Sequence, residues 1–292
     1  MIWYWLLGGA AAAGVMLLAR SAYERRHFEV CRWQFYTAAV EGPVKFVVLS
    51  DLHDWSFGED NEELLRAVRE ETPDFVLLAG DMMTVKPWKN GDFQVCESLL
   101  AGLAAEFPVY YGSGNHELRM KRQEEEYPGW YSRFSAFLRK QGICYLEDET
   151  VAIPQPHGRV LISGLDLDER FYTAKFKTEP MEDGYVEERL GPCCKEKGDY
   201  QILLAHSPLY FPNYARWGAD LVLSGHFHGG TIRLPGVGGM MSPQYQMFPK
   251  WDRGLYEYGG SRMIVSAGLG THSINIRLNN RPTLISVELR KE

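Results

Sequence analysis

The sequence predicts an α/β protein of four layers, αββα: two mixed β-sheets packed on each other, helices outside, and one N-terminal transmembrane helix in front. Three observations carry this reading. Residues 44–112 alternate continuous apolar runs with amphipathic helical runs, as β-α-β-α-β. Beyond residue 158 the apolar runs follow one another with few helices between them. Residues 2–19 carry no charge. The organisation expected is a transmembrane anchor over residues 1–20, a tether over 21–42 and one globular domain over 43–292.

At helical rise, residues 2–19 span about 27 Å, close to one bilayer core. Trp3, Tyr4 and Trp5 sit where an interfacial aromatic belt belongs, and Arg20, Arg25 and Arg26 end the run. A cleaved signal peptide carries its positive charge before the apolar stretch, so an anchor is the better reading. The positive-inside rule then places the domain on the cytoplasmic side of a cell membrane, with a single pass.

Residues 44–50 read as a strand running into Asp51. Residues 61–71 form a helix with Leu64, Leu65 and Val68 on one face, stopped by Pro73. Residues 74–80 are a strand that delivers Asp81. Residues 93–106 are a helix with Val95, Leu99, Leu100 and Leu103 together, and residues 108–112 a strand ending just before Asn115. Continuous apolar strands of this kind belong to a sheet covered on both faces. Residues 159–164, 201–206, 220–225, 262–267 and 283–289 read as further strands. The charged stretch 166–199, with Phe171, Tyr172 and Phe176, reads as a surface insertion beside the site. Arg119, Lys121 and Arg122, followed by three glutamates, read as a solvated loop or helix end.

Hydrophobic residues make up 45% of the 292, enough for a substantial core. A net charge of −7 excludes general nucleic-acid binding, which needs a basic surface. The five cysteines include no Cys-x-x-Cys pair, and Cys193 and Cys194 are adjacent, so a disulfide framework is not expected.

Chemistry-bearing residues fall in five patches: Asp51-Leu52-His53, Gly80-Asp81, Gly114-Asn115-His116-Glu117, His206, and Gly225-His226-Phe227-His228. Most follow a strand, where an α/β fold presents reactive groups. Asp51, His53, Asp81, Asn115, His206, His226 and His228 are nitrogen and oxygen donors, enough for two divalent metal ions rather than one. Without a thiolate among them, manganese, iron and zinc are the candidates. One carboxylate, Asp81, has two oxygens with which to bridge. No His-Glu-x-x-His helix is present, which removes the commonest zinc-hydrolase arrangement.

These patches resemble the signature of the calcineurin-like metallophosphoesterases over residues 44–290. Ser224-Gly225-His226-Phe227-His228-Gly229-Gly230, then Ile232-Arg233-Leu234-Pro235-Gly236, Gly268-Leu269-Gly270-Thr271 and Arg277, are similar to the membrane-anchored bacterial branch that includes YkuE and YaeI. Phe227 stands where Thr or Val is usual, and Thr231 where Gln is usual; both bear on substrate preference. The resemblance implies one metal on Asp51, His53, Asp81 and His228 and another on Asp81, Asn115, His206 and His226, with manganese favoured. It makes His116 a general acid or a transition-state donor, with Glu117 as the group that orients it. The implied activity is hydrolysis of a phosphodiester or pyrophosphate bond by a hydroxide held between the ions. The substrate expected is a phosphorylated small molecule or a lipid-linked phosphate. The alternative is a metal-binding scaffold of the same fold without turnover. Arg233, His272 and Arg277 are further candidates for touching substrate or steadying ligands.

Overall fold

The computed structural model describes residues 1–271 and 274–292. Helix α1 (Ile2–Arg26) and strand β1 (Glu29–Thr37) come first. The first half continues with β2 (Val44–Leu49), α2 (Glu62–Glu71), β3 (Phe75–Ala79), α3 (Gln94–Ala104), β4 (Val109–Gly112), α4 (Asn115–Arg122), α5 (Trp130–Lys140) and β5 (Cys144–Leu146). The second half holds β6 (Glu149–Gln155), β7 (Gly158–Gly164), α6 (Arg170–Thr173), α7 (Tyr185–Leu190), β8 (Tyr200–Leu204), α8 (Phe211–Trp217) and β9 (Leu221–Ser224). The short pair β10 (Arg233–Leu234) and β11 (Gly238–Gly239) follows, then β12 (Gly254–Tyr258), β13 (Ser261–Val265) and β14 (Thr283–Lys291).

Two six-stranded sheets result, in the orders β1-β14-β2-β3-β4-β5 and β12-β13-β9-β8-β7-β6. Strands β2, β3, β4 and β5 run parallel in the first, and β7, β8, β9 and β13 in the second. Side-chain alternation builds the layers. Phe46, Val48, Phe75 and Leu77 point inward and meet Val160, Ile162, Ile202, Leu204 and Leu223 of the other sheet. Their neighbours Val47, Leu49, Val76 and Leu78 point out and meet Leu64, Val68, Leu99 and Leu103 of α2 and α3. On the far side Leu203, Val222 and Met263 meet Phe211 and Tyr214 of α8. The four-layer expectation holds.

The segment expected as a tether, residues 21–42, is not one. Helix α1 continues to Arg26, and β1 pairs in parallel with β14 along its whole length, from Glu29↔Thr283 to Thr37↔Lys291. The reason is in the sequence: Cys31, Trp33 and Phe35 alternate with Arg32 and Gln34, the period of a strand with one covered face. Ser21 and Glu24 are 2% and 1% exposed. The amide of Arg277 donates to Ser21 Oγ at 3.0 Å and that of Asn280 to Glu24 Oε2 at 2.9 Å. The Arg25 guanidinium lies 5.7 Å from the Trp55 ring centroid. The helix end is thus docked on the domain. Among the described residues α1 is the one helix long and apolar enough to cross a membrane.

This docking separates two truncations. Removing residues 1–19 should give a soluble chain of unchanged melting temperature, because the contacts begin at Ser21. Glu24→Ala should lower stability by about 1–3 kcal/mol, because it leaves the Asn280 amide buried without an acceptor. Thermal melts of the two proteins side by side check this; equal melting temperatures would mean that the helix end bears no load.

The stretch 166–199 also differs from expectation. Phe171, Tyr185 and Val186 are buried with α8 in the outer core of the second sheet, so α6 and α7 are part of the fold rather than a surface insertion. Arg119 and Lys121 lie on α4 and are anchored. Arg119 Nη1 donates to Val85 O at 2.8 Å, and Lys121 Nζ reaches Glu147 and Asp166 at 2.7 and 3.1 Å.

Candidate metal centre

The five patches converge where the C-terminal ends of the parallel strands of both sheets meet. Asp51 follows β2, Asp81 follows β3, and Asn115 opens α4 after β4. His206 follows β8, and His226 follows β9. The backbone turns sharply there. Asp51, His53, Asp81, His226 and His228 have φ of 52°, 48°, 56°, 68° and 47°, a left-handed region that non-glycine residues rarely occupy and that concentrates at functional sites. Two glycines permit the close approach. A Cβ on Gly114 would lie 2.3 Å from Asp81 Oδ1, and one on Gly225 would lie 2.2 Å from Asp51 Oδ2.

Side-chain donor atoms gather in overlapping groups, each within 4.8 Å: Asp51 with His53 and His228, Asp81 with His206 and His226, and His53 with Asp81 and His116. His53 Nε2 and His228 Nε2 are 3.1 Å apart, and His228 Nε2 is 3.4 Å from Asp51 Oδ1. Asp81 Oδ2 stands 3.2 Å from His206 Nε2 on one side and 3.8 Å from His53 Nε2 on the other. The carboxylates are also held by the chain. Asp81 Oδ1 accepts from the His116 amide at 2.8 Å, Asp51 Oδ1 from the His226 amide at 2.9 Å, and Asp51 Oδ2 from Ser50 Oγ at 2.6 Å.

The imidazoles are oriented from behind. His206 Nδ1 lies 2.7 Å from Ala79 O and His228 Nδ1 lies 3.2 Å from Gly270 O, so each Nδ1–H donates to a carbonyl and turns its Nε2 toward the cluster. His116 is reversed. The Val85 amide donates to its Nδ1 at 2.7 Å, so the neutral ring carries its proton on Nε2. That ring stands edge-on to His53, centroid to centroid 5.0 Å.

The electrostatics are those of a site built to share positive charge. Burial pushes the Asp51 carboxyl up to about 6 against the pull of His206. Burial acts on Asp81 too, but the His206 imidazole beside it, by charge and by hydrogen bond, holds it well below the usual carboxylate range. His206, despite burial, is raised to about 10 by Asp81 and Asp51. Burying several carboxyls and imidazoles together is costly unless cations compensate them. Among the described residues, no hydrogen-bond donor meets the buried Asn115 Oδ1. An oxygen-and-nitrogen donor set with an unsatisfied carbonyl fits divalent cations.

Three of the four further candidates take other places. Glu117 does not orient His116. It accepts from the amides of Asp81, Met82 and Gly114 at 3.0, 3.1 and 2.9 Å and from the Tyr111 hydroxyl. It clamps the Asp81 turn, and burial followed by the Asp81 charge raises it to about 7. Arg233 pairs with Asp252 at 2.9 Å and donates to Gly229 O, so its charge is spent on the fold rather than on a phosphate. Arg277 is fully buried and donates to the carbonyls of Ala267, Gly268 and Gly270 at 2.8, 3.1 and 2.6 Å. It braces the backbone on which His228 leans. His272 lies outside the described residues.

Sequence reasoning missed three groups. Gln244 Nε2 lies 3.1 Å from His226 Nε2, and the Tyr172 ring lies 5.0 Å from the His226 ring. Asn280 Nδ2 donates to His228 O at 2.6 Å. None sits in a motif, and each comes from a segment outside the five patches. The aromatic pair in Phe171-Tyr172 was the one visible signal.

The model of the calcineurin-like phosphoesterase family matches residues 44–230. The chain is 26% identical over 240 residues to the uncharacterized metallophosphoesterase YkoQ of Bacillus subtilis, covering 80% of this chain and 79% of that one. It is 26% identical over 250 residues to phosphodiesterase YaeI of Escherichia coli, covering 85% and 82%. It is 25% identical over 254 residues to the uncharacterized metallophosphoesterase YkuE of Bacillus subtilis, covering 84% and 79%. Since the family match spans more than half of the chain and runs from before Asp51 to beyond His228, the chain belongs to the calcineurin-like phosphoesterase family.

Proposed function

We propose that the chain is a membrane-anchored phosphoesterase that hydrolyses a phosphodiester or pyrophosphate bond at a centre of two divalent metal ions. The observation that carries this is the Asp81 carboxylate, whose Oδ2 faces His206 on one side and His53 on the other. Asp51, His53, Asp81 and His228 would hold one ion, and Asp81, Asn115, His206 and His226 the other. When bound, such ions acidify a water nucleophile and neutralise phosphoryl charge; manganese is the first candidate, then iron and zinc.

The chain's own side chains supply the rest. His116, protonated on Nε2, offers a proton or a hydrogen bond to the leaving oxygen. Glu117 fixes the Asp81 turn by its three backbone contacts. The Ala79 and Gly270 carbonyls set the faces of His206 and His228. The fixed dipoles around the cluster need no rearrangement as charge develops on the phosphoryl oxygens.

Helix α1 supports anchoring, and Arg20, Arg25 and Arg26 at its end support a cytoplasmic domain. A lipid-linked phosphate or a small phosphorylated molecule near the membrane is the substrate class. The test is hydrolysis of bis(p-nitrophenyl) phosphate, p-nitrophenyl phosphate and a nucleoside pyrophosphate by metal-stripped full-length protein, with manganese, iron and zinc returned one at a time. Restored turnover, greatest with manganese and on a diester or pyrophosphate, is expected. A metal-loaded protein that hydrolyses none of the three would be a scaffold.

A further inference from the structure

Next to His228 lies a cavity of about 200 Å³, lined by Phe227, Met241, Tyr245, Ile274, Ile276 and Arg277. Its wall is mostly carbon, unlike the cluster of carboxylates and imidazoles it adjoins. Phe227 and Thr231, the two positions at which the motif departs from the usual residues, both line it. Tyr245 and Ile274 are 45% and 54% exposed, so the cavity opens to the outside across an apolar rim, which Phe176 extends by stacking on Tyr245. Exposed apolar rims mark places where an apolar partner is met.

The position of this rim follows from α1. The amide of Arg277, in the cavity wall, donates to Ser21 Oγ. Ser21 comes two residues, about 3 Å of helix, after the last residue of the uncharged run. The wall of the cavity is therefore tied by a direct hydrogen bond to the end of α1, which lies at the bilayer surface if α1 spans the membrane as proposed, and is not left on a loose linker. A soluble substrate gains nothing from an apolar slot in that place. A chain rising out of the bilayer does, because it moves from one apolar environment to another while its phosphate reaches His228.

We propose that this cavity seats the hydrocarbon chain of a membrane-resident phosphodiester, so that the enzyme selects substrates with a long alkyl or acyl group beside the scissile phosphate. The proposal rests on the phosphoesterase reading above. In the reaction tested, the oxygen of water bonds to phosphorus and the phosphorus–oxygen bond to nitrophenolate breaks. The products are nitrophenolate and the alkyl phosphate, and the protons of the water pass to solvent.

The experiment compares methyl p-nitrophenyl phosphate with dodecyl p-nitrophenyl phosphate on the full chain in nanodiscs. The two share the reacting bond and the leaving group and differ only in the chain. In the wild type the dodecyl ester should have a kcat/KM about tenfold or more above the methyl ester. In Ile274→Asn and Tyr245→Asn, both at exposed positions, the ratio should fall toward one. Partitioning into the bilayer is common to all three proteins and cannot produce that fall. A ratio near one in the wild type, or a high ratio kept in both variants, would overturn the proposal while leaving the phosphoesterase reading intact. If neither ester is turned over, that reading fails by itself, and the cavity is still tested by dodecyl phosphate carrying a terminal diazirine. Crosslinks at residues 241–245 or 274–276 support the seat; crosslinks confined to α1 or to lipid overturn it.

Discussion

Asp81→Asn is expected to reduce phosphodiester turnover more than a change at any other candidate ligand. The substitution keeps the size of the side chain and an acceptor for the His116 amide, which Asp81 Oδ1 holds at 2.8 Å. What it removes is the negative charge of Oδ2, which faces His206 at 3.2 Å and His53 at 3.8 Å. A terminal ligand lost from one ion would leave the other in place, whereas this change would weaken both in the proposed centre. The charge stabilisation at stake is several kcal/mol, which at ~1.4 kcal/mol per decade is on the order of 10³-fold or more in rate. Steady-state kinetics at saturating metal measure it, and activity comparable to wild type would remove Asp81 from the bridging position.

The second large effect is expected at His116. His116→Ala should slow turnover by ~10²–10⁴-fold, the usual worth of general acid help, while metal content stays near that of wild type. Metal should stay because the group that fixes the Asp81 turn is Glu117, not His116. The Val85 amide occupies His116 Nδ1 and leaves the proton on Nε2, the protonation a donor to a leaving group needs. The dependence on leaving group gives the sharper test. Nitrophenolate departs with little protonation, so the defect should shrink on nitrophenyl esters and grow on alkyl esters. An equal defect across the series would assign His116 to electrostatic stabilisation instead.

The convergence of the five patches was legible because most of the candidate ligands follow strands that read clearly. The runs ending at Ala79, Leu204 and Ser224 are buried along their whole length, so their composition is continuous and their ends are sharp. What the sequence hid depends on partners far along the chain. Glu24 reads as one more charge after an apolar helix, because its partner Asn280 is 256 residues away. Arg277 reads as a candidate for touching substrate or steadying ligands until its donation to the carbonyls of Ala267, Gly268, Gly270 and Asn280 is known. Glu117 was misread because adjacency to His116 suggested contact, whereas on α4 its side chain turns back to the Asp81 amide. Strand β1 is a different case. Its alternation of Cys31, Trp33 and Phe35 with polar residues is visible in the sequence, but the segment directly follows the apolar run and reads there as a tether. Strand β6 was missed for the ordinary reason that an edge strand holding Pro154 carries little apolar signal.

The proposed centre would hold two ions that share Asp81, and a count of bound metal decides whether it does. Full-length protein is stripped with a chelator, reloaded with manganese, freed of excess and assayed by elemental analysis against protein concentration, with Asp81→Asn beside it. The account predicts two ions per chain in the wild type and fewer in the variant. A wild type that holds no more than one ion after reloading, or a variant that still holds two, would contradict it.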